Sequence, residues 1–277
     1  MCRWLAYSGE PLQPAALLLD PDHSIVAMSQ HSPLGAETVN GDGFGLGWYA
    51  EDGPAEPWLF RSIDPAWHDE NLRELSRAVR SPLFFAHVRA ASAGSSIQRT
   101  NCHSFRHGRW MFMHNGSIAQ FSLIKRELAL AVDPSLFPTI QGSTDSELLF
   151  HLALTHGLED DPVRALADTL RHVERVGGAA GIAAPVQATI AVSDGATLWA
   201  FRYSSIGRSR TLFHSADMPT LRRMFPDFER LTQFGDRTRV VVSEPLNDLP
   251  GAFLEVPEST VVVVDETGYH QHAFLAE

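Results

Sequence analysis

Cysteine is scarce: the 277 residues contain only Cys2 and Cys102. Two thiols cannot staple a disulfide scaffold. The fold must therefore rest on an apolar core, which a chain of this length with 44% hydrophobic residues can build. Long apolar runs are missing too. Ala15–Leu19 and Val261–Val264, the longest candidates, fall far short of the roughly 18 residues that mark a membrane span. Glu10, Pro11, Gln13 and Pro14 interrupt the start of the chain, and no basic stretch opens it, so no secretory leader is expected. Runs of Lys or Arg are absent. With a net charge of −11 and a pI of about 5.6, the chain lacks the basic footprint of a nucleic-acid binder. Neither H-E-x-x-H nor C-x-x-C occurs. His87, His103, His107 and His114 follow no standard zinc spacing, so no metal and no cofactor is expected. There is no repeat, low-complexity tract or linker. What remains is a cytoplasmic protein of one domain, residues 1–277, acting on a small molecule, with no role for nucleic acid or membrane.

Hydrophobic periodicity predicts strands over Cys2–Ser8, Gly43–Tyr49, Trp58–Arg61, Leu83–Arg89 and Arg109–Met113. Helices are predicted over Pro11–Leu19, Trp67–Val79 and Ile118–Val132. A polar loop over Ala93–Arg106 is long enough for a lid. Thr144-x-x-Glu147 reads as a capping box, and Asp161-Pro162 as an N-cap with proline at the first helical position. After Pro185 the pattern is mostly strand: Gln187–Val192, Thr197–Tyr203, Arg210–His214, Arg239–Ser243, Thr260–Val264 and Tyr269–Phe274. Strands at both ends with helices between them fit helices coating stacked antiparallel sheets.

Several residues could carry chemistry. Cys2 reads as a small buried hydrophobe on a strand, or as a nucleophile. Once Met1 is removed, its thiol and a free α-amine share one carbon, and the amine can serve as base. Arg89 reads as a surface strand end, or as a planar fork for a carboxylate. In His114-Asn115-Gly116-Ser117 the Asn-Gly pair is a hairpin signal. The helical pattern that follows points instead to an oxyanion hole made of the Asn115 amide and the Gly116 N–H. Asp145 reads as a dipole-compensating acid in a helix's first turn, or as the partner of a substrate ammonium. Gly45-x-Gly47-x-x-Ala50 loosely matches a dinucleotide fingerprint, but Glu51-Asp52-Gly53-Pro54 follows where a helix should start. Close backbone packing explains these glycines better. His270 and His272 fall on an alternating strand and are expected to face solvent.

Taken in order, these motifs form a pattern. They are Met1-Cys2-Arg3, Asn40-x-Asp42-Gly43-Phe44-Gly45-x-Gly47-Trp48-Tyr49, His87-x-Arg89, Asn101-x-His103, His114-Asn115-Gly116 and Ser143-Thr144-Asp145-Ser146-Glu147. Together they resemble the class II glutamine amidotransferases, which are N-terminal nucleophile hydrolases. The resemblance implies an α+β fold, an αββα sandwich of two stacked, mainly antiparallel sheets flanked by helices. It implies that Cys2 attacks the glutamine γ-amide to give a γ-glutamyl thioester, with Asn115 and Gly116 as oxyanion hole. Arg89 would hold the substrate's α-carboxylate and Asp145 its α-ammonium, while Ser92 and His103 would lie beside the substrate. Ala90 and Ala93 stand where the larger synthases have Trp and His, and no room is left for an ammonia-using second domain. The start and the glycine-rich motif look more like the small stand-alone branch that includes the γ-glutamyl hydrolase of ergothioneine biosynthesis. Glutamine with a separate acceptor subunit for the ammonia, another γ-glutamyl amide, and a non-catalytic regulatory role on the same fold are the alternatives.

Overall fold

The computed structural model describes residues 2–31, 39–91 and 96–275. In chain order its elements are β1 (Arg3–Leu12), α1 (Ala15–Leu18), α2 (Ile25–Gln30), β2 (Phe44–Trp48), β3 (Trp58–Ser62), α3 (Glu70–Ala78), β4 (Ser81–Val88), β5 (Phe105–His107), β6 (Trp110–Ile118), α4 (Phe121–Leu130), α5 (Asp145–Thr155), α6 (Pro162–Ala179), β7 (Val186–Ser193), β8 (Leu198–Ser204), β9 (Phe213–Ser215), α7 (Met218–Met224), β10 (Arg239–Val242), β11 (Phe253–Glu255), β12 (Thr260–Asp265) and β13 (Gly268–Ala273). One sheet runs β11-β9-β10-β1-β4-β2-β3 and the other β13-β12-β8-β7-β6-β5. Their strand pairs are antiparallel.

Side-chain alternation builds the layers. On β1, Leu5 and Tyr7 point outward to Leu17, Ile25 and Leu72 of the helices α1–α3. Trp4 and Ala6 point inward, where they meet Met111 and Met113 of β6 and Val262 of β12. On β6 the intervening Phe112 faces Phe150 of α5 and Leu166 and Leu170 of α6. The central strands are thus buried on both faces, which is why they read as nearly continuous apolar runs rather than as alternation. This is the αββα sandwich that the motifs implied.

Helix ends follow the sequence signals. The Asp161 carboxylate accepts the Arg164 N–H at 3.0 Å, with Pro162 opening α6. Thr144 caps α5 through the Glu147 N–H at 3.2 Å, but the capping box is only half made. Glu147 turns to the Gln141 and Gly142 N–H groups instead, at 2.9 and 2.6 Å.

The main departure lies at His114–Ser117. The Asn-Gly pair makes no turn: β6 runs straight through it to Ile118, with Asn115 opposite Thr189 and Gly116 opposite Ala188 on β7. Pairing with a strand some 70 residues away overrides a local hairpin preference. A Cβ on Gly116 would lie 2.0 Å from the Gln187 carbonyl, so glycine is required there by close approach. The short elements α2, α7, β5 and β11 carry no pattern strong enough to read from sequence, and the expected strand at Arg210–His214 shrinks to Phe213–Ser215.

Candidate active site

Cys2 sits just before β1, where Arg3 pairs with Val88 at the end of β4. Its thiol therefore falls beside the chain leaving β4, 3.5 Å from the Ala90 carbonyl. Burial pushes the Cys2 thiol pKa up; the Ala90 contact and the Arg89 charge oppose this, and Asp145 adds to it. Both charged residues from distant parts of the sequence thus act on one sulfur.

Arg89 is buried and held by the Asn40–Gly43 loop. Its backbone N–H donates to the Gly43 carbonyl at 2.8 Å, and its guanidinium donates to the Asp42 carbonyl at 3.4 Å and the Ser96 carbonyl at 3.2 Å. The Asp42 carboxylate in turn accepts the Ala91 N–H at 2.8 Å. Gly43 has φ +109, and a Cβ there would lie 2.6 Å from the Ser62 carbonyl, so the turn that presents Arg89 needs glycine. A Cβ on Gly45 would overlap the His103 carbonyl at 1.7 Å. The glycine-rich stretch is a packing surface, not a phosphate cradle.

Asp145 opens α5. One carboxylate oxygen accepts the Ile118 N–H and the other the Ser146 N–H, each at 2.8 Å. This ties the helix to the end of β6. The Ser146 hydroxyl also approaches Asp145 at 3.4 Å, and a carboxylate's about four lone-pair sites still leave capacity for a cationic partner. Asn101 occupies the adjoining wall. Its amide oxygen accepts the Ser143 N–H at 2.9 Å, and its amide nitrogen donates to the Ser96 carbonyl at 3.0 Å.

His87, His103 and His114 lie buried behind Arg89. His103 packs on His87, with ring centroids 4.2 Å apart. His114 Nδ1 meets the Ser146 hydroxyl at 2.9 Å. Burial pushes His87 down to about 3 and His103 well below its ordinary range, and it lowers His114 against the pull of Asp145. Burial thus disfavours the charged form of all three rings, which leaves positive charge in this wall to Arg89. Among the described residues no group of His, Cys, Asp and Glu is arranged to hold a metal ion.

Asn115 is buried on β6, in the sheet opposite Cys2. A hydrogen-bond chain joins the two sheets here. The Trp4 indole donates to the Thr189 hydroxyl at 3.1 Å, and that hydroxyl donates to the Asn115 carbonyl at 3.1 Å. Trp4 lies two residues after Cys2, so this chain ties the strand that carries Cys2 to the backbone of Asn115. Ser92 lies outside the described residues.

A family model for class II glutamine amidotransferases matches residues 18–267. The chain belongs to the class II glutamine amidotransferases. The probable glutamine amidotransferase DUG3 of Saccharomyces cerevisiae is 33% identical over 309 aligned residues, spanning 100% of this chain and 85% of that protein. The γ-glutamyl-hercynylcysteine sulfoxide hydrolase of Mycolicibacterium smegmatis is 30% identical over 164 residues, 57% of this chain and 65% of that enzyme. Among solved structures, a glutamine aminotransferase class-II domain protein from Silicibacter pomeroyi superposes with a TM-score of 0.72 at 32% identity, covering 99% of this chain and 100% of that one. The glutamine phosphoribosylpyrophosphate amidotransferase of B. subtilis shares the fold, with a TM-score of 0.66 at 16% identity over 100% of this chain and 50% of that one.

In this class II amidotransferase the matched span begins after Cys2, so the thiol's role is argued from its surroundings. Some of those surroundings escape sequence reasoning. The buried Arg3 pairs with Glu244 at 2.7 Å and with the Asn40 amide, which anchors the residue next to Cys2. A buried guanidinium inside an apolar strand was the available signal. Trp4 and Thr189 offered none, because their importance comes from a contact across 185 positions.

Proposed function

We propose that the protein is an N-terminal-cysteine amidohydrolase of γ-glutamyl amides, with glutamine as its substrate. After removal of Met1, the Cys2 α-amine takes the thiol proton, and sulfur attacks the γ-carbonyl carbon. The oxyanion develops towards the Asn115 amide and the Gly116 N–H. The C–N bond then breaks, the amine leaves with the proton that the Cys2 α-amine returns, and water hydrolyses the γ-glutamyl thioester to free glutamate and thiol. Arg89 and Asp145 hold the α-carboxylate and α-ammonium of the head group. Ser92 and His103 are assigned to the substrate's surroundings by the family resemblance, with His103 contributing from the wall through its stacking on His87. The observation carrying the reading is the Cys2 thiol lying 3.5 Å from the carbonyl of Ala90, next to the buried Arg89, with the Asp145 charge also acting on it.

A second reading, another γ-glutamyl amide in place of glutamine, is supported by the 30% identity to a γ-glutamyl-hercynylcysteine sulfoxide hydrolase. Both readings need the same head-group clamp. Two measurements test them together. Intact mass should give a chain starting at Cys2, and 6-diazo-5-oxonorleucine should then add to Cys2 and not to Cys102. A panel of γ-glutamyl amides run beside glutamine identifies the leaving group. Near-native turnover by Cys2→Ala on every member of the panel would overturn the nucleophile assignment.

A further inference from the structure

A second cavity, of about 450 Å³, opens at the edge of the sandwich where β3 and β5 meet the start of α5. Cys2, Arg89, Asn115 and Asp145 do not line it. Three guanidiniums do: Arg61 from β3, Arg99 from the turn at 99–101, and Arg106 from β5. Among the described residues none of them has an ion-pair partner, although the chain carries 33 acidic residues against 22 basic ones. Arg106 donates to the Pro57 carbonyl at 2.8 Å and Arg61 to the Cys102 carbonyl at 3.5 Å. A guanidinium has five N–H donors, so each fork keeps most of its capacity.

The carboxylate of the lining, Glu147, acts on Arg61 through its charge but forms an ion pair with none of the three among the described residues. Its two oxygens accept the Gln141 and Gly142 N–H groups, and it stands beyond ion-pair distance of all three arginines. His151, also in the lining, is pushed below its ordinary pKa by burial, which disfavours its charged form. Three positive charges thus face one committed negative charge in a concave site, on a protein of net charge −11. Mutual repulsion among unpaired guanidiniums is a cost that a bound anion would remove. The half-exposed Trp58 adds a flat apolar surface beside them.

We propose that this cavity is a binding site for a small organic oxyanion, a carboxylate or phosphate group gripped by Arg61, Arg99 and Arg106 with its apolar body against Trp58. Planar forks suit both head groups, because each offers paired oxygens for bidentate bonding. The site is separate from the Cys2 centre but adjoins its wall. Arg99 opens the turn that ends in Asn101, the residue that holds Ser143. An anion here would act on the same segment that frames the candidate active site.

Binding can be tested without any assay of turnover. The full-length protein is titrated calorimetrically with inorganic phosphate, phenyl phosphate, succinate and benzoate, each against chloride at equal ionic strength. Saturable binding beyond chloride is expected, tighter for the aromatic member of each pair. Tighter phosphates assign a phosphoryl head group, and tighter carboxylates a carboxylate. Arg99→Gln and Arg106→Gln, both at exposed positions, should each weaken binding by at least about tenfold, the loss of a charge-assisted fork. Binding of phenyl phosphate should change tryptophan fluorescence, and Trp58→Phe should abolish that change. Raising KCl to about 1 M should weaken binding in wild type far more than in the Arg99→Gln/Arg106→Gln double variant. Binding no stronger than chloride, or unchanged affinity in folded Arg99→Gln and Arg106→Gln, overturns the proposal. Neither result bears on Cys2, so this reading and the amidohydrolase reading fail separately.

Discussion

At the scale of single residues, the chemistry turns on how much charge Cys2 feels. Its thiol pKa is raised by burial, lowered by Arg89 and raised by Asp145. The net direction is upward, so burial opposes thiolate formation at Cys2. The rate of Cys2 alkylation by iodoacetamide over a pH series should follow the thiol's titration. Arg89→Gln removes a positive charge that favours thiolate, so the midpoint should move further up. Asp145→Asn removes a negative charge that disfavours it, so the midpoint should move down. Mass spectrometry of the labelled chain over a pH series measures both shifts, independently of substrate. Shifts of the same sign would mean that the two side chains do not flank the sulfur with opposite charges. The sequence alone named Cys2, Arg89 and Asp145. It could not give these signs, because they depend on distances between three separate stretches of chain.

At the scale of elements, the oxyanion assignment depends on two strands in different sheets keeping their spacing. Asn115→Ala should lower kcat by about 10²–10³, the range for one lost oxyanion donor. Thr189→Val tests the spacing more selectively. It keeps the side-chain shape but leaves the Trp4 indole N–H and the Asn115 carbonyl without their shared hydroxyl. One unsatisfied buried group costs about 1–3 kcal/mol. The expected result is a lower melting temperature together with a fall in kcat at nearly constant KM. A purely structural hydroxyl would lower stability and leave kcat of the folded fraction unchanged. These elements show where sequence reasoning stops. Capping by Asp161 and Thr144 was legible because it is decided within three residues. The course of β6 through Asn115-Gly116 was not, because β7 decides it.

At the scale of the whole molecule, stretches 241 positions apart meet beside Cys2. β1 lies between β4 and β10, and Arg3 is locked to Glu244, 241 positions away. Removing one partner of a buried ion pair leaves the other charge uncompensated, at a cost of about 3–5 kcal/mol. Glu244→Ala should therefore lower the free energy of unfolding by that amount in urea titration, and Arg3→Met/Glu244→Leu should recover much of it. A loss below about 1 kcal/mol would place the pair among weak surface contacts. Because Arg3 follows Cys2 directly, folded Glu244→Ala should also alkylate differently at Cys2. Among the described residues no helix is long and apolar enough to cross a membrane, consistent with the short apolar runs of the sequence.

The sequence by itself determined the parts of this protein that local chemistry decides: strands from apolar runs, helix starts from caps, glycines where the backbone must pass closely, and the motifs that mark the family. It also named the thiol, the guanidinium, the amide and the carboxylate of the candidate site. Only the tertiary structure decided how they stand to one another. Trp4 reaching Thr189, Arg3 reaching Glu244, and three arginines sharing one cavity bring together residues far apart in the chain. No periodicity or spacing encodes such contacts, because the closing of the two sheets on each other creates them.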